Sequence, residues 1–493
     1  MSLAKKTISG TKWSAFSQFG RQGLGFVTTA ILARLLTPDA YGILGMATVV
    51  TGFIAVFKDL GTSSALIQRK VLTDNLVSSI FWVNTLFGLL TSGFVVVIAP
   101  LVALFYREPQ VIPILRVLSF SFIISGLSIS QQALLTRQMA FYKLARIELV
   151  SSALAGLVGV AMAIAGMGVW SLVGQTLCQS IVITALLWIV FPWRPRLVLA
   201  WREVRLVASY SLNLSGFNIF NYFVRNADNI LIGRYLGTAA LGYYSIAYRL
   251  MLYPLQSFSG VLGRVLFPVF TQMQEDNIRF RKTYLRICTS ISLIAFPMML
   301  GIVFVSEPFV YAIMGSRWMQ VSTILIILAP LGVIQSIATT VGHIYKAKGR
   351  TDWMFIWGLL SGITVLFFFV IGLRWGVVGV AGAYAAWSLI MVYPNFVIPF
   401  KLIELSFRDL VIALWPTLRA SLIMSGCVAI LRVVLMALGI DQPWLVLVIT
   451  IPIGVFTYTG FLLWSRPPII QDLIELLPHE LMLKLWGGVV KSG

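Results

Sequence analysis

A chain of 493 residues that is 59% hydrophobic and only 11% charged carries more apolar surface than one soluble core can hide. That excludes an ordinary soluble enzyme and requires a bilayer. The net charge of +20 would suit nucleic acid in a soluble protein, but here the cations collect in the connections between apolar runs, so no nucleic-acid partner is expected.

Apolar runs able to cross a hydrocarbon core of about 30 Å recur from end to end and predict an all-α, polytopic membrane protein of fourteen transmembrane helices. The first six are read at residues 11–36, 41–67, 75–104, 111–136, 146–166 and 169–191. A basic linker, PWRPRLVLAWREVRLV, follows at 192–207. Six more spans are read at 209–236, 240–268, 285–305, 320–345, 352–373 and 376–399, and two final ones at 411–437 and 444–464. The expected domains are a six-helix bundle (1–191), a cytoplasmic linker (192–208), a second six-helix bundle (209–400), two peripheral helices (401–466) and an amphipathic cytoplasmic tail (467–493). The first span is too long for a secretory signal, contains Arg21 and lacks a small-residue cleavage site, so it is read as a retained helix. Cys178, Cys288 and Cys427 stand singly in apolar runs and suggest neither a disulfide framework nor a metal site.

The loops divide sharply by charge. One set holds Lys5, Lys6, Arg69, Lys70, Arg137, Lys143, Arg194, Arg196, Arg279, Lys282, Lys346, Lys348 and Arg350, whereas the other holds little beyond Arg107, Arg317 and Arg374. By the positive-inside rule both termini are cytoplasmic and the number of spans is even.

Two phrases 200 positions apart reveal a duplication: ILARLLTPDAYGILGMA from residue 31 and LIGRYLGTAALGYYSIA from residue 231. Arg34 falls on Arg234, Gly42 on Gly242 and Ala47 on Ala247, and a second echo sets GVWSLVG (168–174) against GVVGVAG (376–382). Six spans precede the linker and six follow it in the same orientation, which predicts parallel repeats around a cavity near the midplane. In the first six spans the prolines fall near helix ends, whereas Pro254, Pro297, Pro330, Pro394, Pro416 and Pro452 lie inside later apolar runs and predict bends in the second half.

Charges within the spans are costly and mark function or pairing. Arg21, Arg225, Arg249 and Arg264, with Lys58 near the inner end of the second span, outnumber the intramembrane acids Asp59, Glu148 and Asp228. Arg225 and Asp228 are three apart and could pair on one helical face. The remaining positive charge invites an anion, and guanidinium groups match phosphate oxygens through paired donors. Tyr222 and Tyr248 offer sugar-stacking faces, and Asn221, with Asn213, Asn218, Asn226 and Asn229, makes one wet face on the seventh span. Arg34, Arg116, Arg234 and Arg374 lie at outer span ends, where headgroup anchoring is expected. Asp228, Asp59 and Glu148 are the candidates for coupling to H+ or Na+. There is no GKS or GKT phosphate loop and no GxSxG elbow, and His343 and His479 have no metal-ligand spacing, so neither an enzyme nor a metal site is expected.

WSAFSQFGRQGLGFVTTAILARLLTPDAYG, FKDLGTSSALIQRK and DNILIGRYLGTAALGYYSIAYRL together resemble the polysaccharide transporter branch of the multidrug/oligosaccharidyl-lipid/polysaccharide superfamily, in particular the Wzx-type lipid-linked oligosaccharide flippases. The resemblance covers nearly all of residues 1 to 466 and implies a pair of bundles in the bacterial inner membrane, an architecture for which a monomer is enough. Its implied cargo is an undecaprenyl-pyrophosphate-linked sugar repeat unit, the pyrophosphate meeting the arginines and the polyprenyl tail staying among membrane lipids. A polysaccharide polymerase and chain-length machinery are the implied downstream partners. In related lipid II flippases first-span arginines line the cavity; Arg21 matches by position, whereas Thr28 and Thr29 stand where those relatives carry more charge. A cation-coupled drug antiporter is the first alternative, and a membrane scaffold or ligase of glycan assembly the second. Intramembrane arginine excess argues against the former, and short outer loops, the longest around SEPFVYAIMGSRWMQ, argue against the latter. Across the repeat the inner positions diverge: Arg21 faces Asn221, Gly25 faces Arg225 and Thr28 faces Asp228, which makes these mismatches the places to seek substrate.

Overall fold

The computed structural model describes residues 3–57, 66–67, 69, 72–198, 220–465 and 467, with the backbone alone described at 3–12, 14–15 and 255–269. Its regular elements are all helical among the described residues: α1 (Leu3–Leu35), α2 (Pro38–Ala55), α3 (Asp74–Tyr106), α4 (Val111–Gly126), α5 (Ile129–Arg137), α6 (Phe141–Ile164), α7 (Val169–Val190), α8 (Ala227–Tyr235), α9 (Thr238–Gln272), α10 (Asn277–Met314), α11 (Met319–Ala347), α12 (Thr351–Gly372), α13 (Gly376–Phe400), α14 (Phe407–Ala437) and α15 (Pro443–Ser465). Among the described residues nine helices are long and apolar enough to cross a membrane, or ten if α4 and α5 form one bent span. Lys58, Asp59, the side chain of Arg264, much of the basic linker and the expected amphipathic tail lie outside the described residues.

Helix boundaries follow local chemistry. Pro38 opens α2 where a missing N–H costs nothing, and the Thr73 hydroxyl accepts from Leu76 N at 3.2 Å to cap α3. Ser406 and Asp409 form a capping box at α14. The second sequence echo is a shared backbone conformation: Gly168 before α7 has φ 55° and ψ −129°, and Gly376 at the start of α13 has φ 68° and ψ −159°. Both lie in a region that glycine alone enters at low cost.

The chain divides into two compact units. The first comprises Met1–Tyr253, Ile313–Ile324 and Phe355–Trp387. Within it α6 and α7 pack together, α3 lies against α4, and α1 lies along α6. The α3–α4 approach is close because Gly88 faces the Phe122 carbonyl and Gly126 the Asn84 carbonyl, where an added Cβ would stand 2.6 and 2.8 Å from oxygen. Leu66, Leu76, Ile80, Leu135 and Leu187 form the apolar cluster at the far end of these helices.

At the end carrying the repeated phrase, the two copies are seated on one another. A methyl group on Gly42 would overlap the Thr238 carbonyl, and one on Gly242 would overlap the Pro38 carbonyl. Because Pro38 and Thr238 are themselves equivalent across the repeat, the contact is reciprocal. Arg34 and Arg234, expected as headgroup anchors, are both engaged with protein here: Arg34 Nε donates to the Ile313 carbonyl at 2.8 Å, and the Arg234 guanidinium lies 5.6 Å from the centre of the Phe105 ring.

The second unit comprises Pro254–Ala312, Leu325–Met354 and Ser388–Gly493. Phe270, Phe280, Tyr284, Ile344 and Phe400 are its buried centre, with Phe270 and Phe280 stacked at 4.5 Å. The last two helices are fastened to α10. Ser292 and Thr417 hydroxyls bond at 2.8 Å, the Tyr458 hydroxyl donates to the Leu293 carbonyl at 2.7 Å, and Arg432 pairs with Glu307 while donating to the Phe304 carbonyl.

The fourth expected span differs from its sequence reading. It breaks between α4 and α5 with a bend of 43°, in the first half and with no proline at the break, whereas helices continue through Pro297, Pro330, Pro394, Pro416 and Pro452. Side chains of α7 satisfy carbonyls freed at the break: Thr184 Oγ1 donates to Ile124 and Trp188 Nε1 to Leu127, at 3.1 and 2.8 Å. Satisfied carbonyls, rather than a proline, are what make a break tolerable in lipid.

Gly168→Ala and Gly376→Ala should each lower stability by about 1–3 kcal/mol through forced backbone strain. Gly382→Ala, a helical glycine with open space around it, should not lower it. Thermal unfolding of the purified protein in detergent checks all three.

Candidate functional site

The site candidates whose side chains can be placed lie in the first unit, on α1, α6, α8, α9 and the segment leading into α8. That segment is helical over residues 220–225, turns at Asn226 (φ −117°, ψ 9°) and resumes as α8. Asn226 holds the turn itself, its Nδ2 donating to the Tyr222 carbonyl at 2.9 Å. Tyr222 in turn crosses to α2, where its hydroxyl donates to the Val49 carbonyl at 2.7 Å over Gly52. Phe53 of α2 lies 5.8 Å from the Tyr222 ring and 4.8 Å from that of Phe223, which fixes the segment against α2.

The turn overturns the expected Arg225–Asp228 pair. An i, i+3 pair needs an unbroken helix, and Asn226 interrupts it. Asp228 is buried and accepts instead from Asn229 N at 2.7 Å and from the Tyr244 hydroxyl at 3.0 Å. No cation pairs with it among the described residues. Its place in the first turn of α8 sets the carboxylate at the positive end of that helix. From Tyr244 an aromatic row continues: Tyr248 stacks on it at 6.0 Å, Tyr384 of α13 lies 6.5 Å from Tyr248, and Trp387 stacks on Tyr384 at 6.0 Å. Trp387 Nε1 donates to Thr364 Oγ1 of α12 at 3.0 Å.

Arg225 is exposed and makes no ion pair among the described residues, yet it stays within electrostatic reach of Tyr248 and Tyr384. Arg249 is likewise exposed and free of acid partners among the described residues, and lies near Tyr41. Arg21 differs. Its Nε lies 3.4 Å from Glu148 Oε2, which also accepts from Ser17 Oγ at 2.7 Å. The Arg21 and Glu148 side chains are 42% and 29% exposed, so the pair is worth at most about 1 kcal/mol and can exchange partners. Asn221 is half-buried beside Tyr222. Of the predicted mismatch positions, Thr28 packs its hydroxyl on Gly156 of α6 instead of lining a polar face.

Tyr384, Trp387 and Thr364 were not among the residues that the sequence singled out. The available signal was two aromatics three apart, on one helical face of the otherwise small-residue stretch GVAGAYAAWS.

These features define a polytopic helical membrane protein with an internal repeat, paired and unpaired intramembrane arginines, and a buried carboxylate on a tyrosine row. Over 94% of its length the chain shares the fold of a lipid II flippase, MurJ, solved in an inward closed conformation, with a TM-score of 0.73, 17% identity and 99% of that structure covered. The chain belongs to the polysaccharide biosynthesis protein family, whose model matches residues 31–323. It is similar to the teichuronic acid biosynthesis protein TuaB of Bacillus subtilis, 30% identical over 369 residues that cover 74% of this chain and 76% of TuaB. It is also similar to the lipopolysaccharide biosynthesis protein WzxC of Escherichia coli, 27% identical over 425 residues, 84% of this chain and 85% of WzxC.

Tyr244→Phe should destabilise the protein by about 1–3 kcal/mol, because it strips a donor from a buried carboxylate. In an Asp228→Asn background the same change should cost less, since the charge is gone. A double-mutant cycle on thermal stability measures the difference, and equal costs in both backgrounds would show that the bond does not serve the charge.

Proposed function

We propose that the protein is a flippase that carries an undecaprenyl-pyrophosphate-linked oligosaccharide repeat unit from the cytoplasmic to the outer leaflet of a bacterial inner membrane, for surface or extracellular polysaccharide synthesis. Uncompensated positive charge carries the reading. Arg225 and Arg249 are exposed on membrane helices without an acid partner among the described residues, and Arg21 holds its acid only loosely. A guanidinium left unpaired in or near hydrocarbon is expensive, and a pyrophosphate supplies both the charge and the bidentate geometry that remove the expense. A cationic drug would meet repulsion at the same place, which disfavours an antiporter. The family and the relatives support the rest of the cargo: TuaB is a teichuronic acid biosynthesis protein, WzxC a lipopolysaccharide biosynthesis protein, and MurJ a lipid II flippase.

In this reading the chain moves its cargo and makes or breaks no bond in it. Both termini lie in the cytoplasm, the glycan meets the polar side chains of Tyr222, Asn221 and Tyr248, and the tail remains among membrane lipids. The protein works as a monomer and hands its cargo to a polymerase and chain-length machinery.

Coupling to H+ or Na+ belongs at Asp228 in this account. A buried carboxylate with no cation of its own is costly to keep charged, and taking up a proton or Na+ relieves that cost. Glu148 is engaged by Arg21 and Ser17. Arg225→Ala should cut flipping at least ten-fold at unchanged expression, read as lipid-linked repeat units trapped in the inner leaflet of cells. Full export in that variant would remove the assigned role. Asp228→Asn should abolish the dependence of the rate on the ion gradient in inverted vesicles, and an unaltered dependence would move coupling elsewhere.

A further inference from the structure

The contacts at the phrase end follow one rule on both sides of the repeat. Arg34, from the end of α1, reaches the turn between α10 and α11 and donates to the Ile313 carbonyl at 2.8 Å. Its counterpart Arg234, from the end of α8, lies over Phe105 at the equivalent turn between α3 and α4, while Gly233 meets the neighbouring Tyr106 ring. Each copy of the phrase thus grips the outer turn of the other copy. Gly42 and Gly242 seat the two backbones between these grips, and Thr238 Oγ1 donates to Asp39 Oδ1 at 2.5 Å across the seam.

Trp318 closes the arrangement. It stands in the turn between α10 and α11, is completely buried, and donates from Nε1 to the Ala33 carbonyl at 2.6 Å. Its ring sits edge-on to Tyr41 of one repeat at 5.3 Å and to Tyr243 of the other at 6.0 Å. All of these groups belong to the first compact unit. The seam is made of glycine-seated backbone, side chain-to-carbonyl bonds and one tryptophan between helix ends. Such contacts can part without unwinding any helix.

We infer that this crossed arginine clamp, with Trp318 as its wedge, is the gate that parts to release cargo, and that Gly42 and Gly242 set how tightly it shuts. The inference rests on the flippase reading for its direction, but its mechanics are testable without it. Arg34, Arg234 and Trp318 are then positioning residues that need not touch cargo.

The test uses the full-length protein with Cys178, Cys288 and Cys427 replaced by serine, carrying Asp39→Cys and Thr238→Cys. Oxidation should link the pair and reduce flipping of a lipid-linked oligosaccharide in proteoliposomes at least ten-fold, with recovery on reduction, while either single cysteine variant is unaffected by oxidant. A linked protein that flips as fast as its unlinked dithiol form would overturn the gate, and so would a pair that never links. In a second arm Gly42→Ala is added to the single Thr238→Cys variant. The added methyl group should raise the rate of labelling by a membrane-impermeant maleimide several-fold with the protein still folded. An unchanged rate in the folded variant would contradict the role of the glycines. If the cysteine-free parent flips no lipid-linked glycan, the flippase reading fails, while the labelling arm still decides whether the seam opens.

Discussion

Two glycines that occupy the same place in a duplicated sequence allow two helix starts to meet backbone on backbone, Gly42 on Thr238 and Gly242 on Pro38. No residue with a side-chain carbon fits at either place without moving a carbonyl, so the approach of the two copies is set at this point. The reach of Arg34 to Ile313, of Arg234 to Phe105 and of Trp318 to Ala33 depends on that distance. So does the course of the α8 segment, whose Tyr222 is tied to α2 just below the seam. The duplication therefore supplies a joint between its two copies.

Below the joint the copies have diverged, and the divergence separates charge of opposite sign. A break at Asn226 turns Asp228 inward to Tyr244 and leaves Arg225 exposed, although the two are only three residues apart. In an unbroken helix they would neutralise each other. Separated, the arginine is available for an anion and the carboxylate for a small cation or a proton. The aromatic row from Tyr244 through Tyr248 and Tyr384 to Trp387 links the carboxylate mechanically to α12 and α13. In the proposed coupling, this row is the route by which a change in charge at Asp228 reaches several spans.

The all-α membrane fold was legible because apolar runs and basic loops are one-dimensional signals. The repeat was legible because the phrase survives where backbones touch, and the second echo because Gly168 and Gly376 share a left-handed φ. The bend between α4 and α5 was hidden, since the groups that permit it, Thr184 and Trp188, come from another helix. Internal prolines mark no break, because α10, α11 and α13 to α15 continue through theirs. The expected Arg225–Asp228 pair failed for a related reason. Spacing assumes an intact helix, and the turn at Asn226 is stabilised by that residue's own side chain. Arg34 and Arg234 read as lipid anchors because position in a span shows depth but not the neighbour across the seam.

The central claim is that the chain moves a lipid by its pyrophosphate and glycan rather than by its tail. Its most direct test reconstitutes the purified protein in liposomes that hold undecaprenyl-pyrophosphate-linked oligosaccharide in one leaflet and follows exposure of the sugar on the other side. The account predicts rapid exposure of the pyrophosphate-linked glycan and none, above protein-free liposomes, for the same glycan on a tail of equal length without the pyrophosphate. Equal movement of both lipids, or of neither, would contradict it.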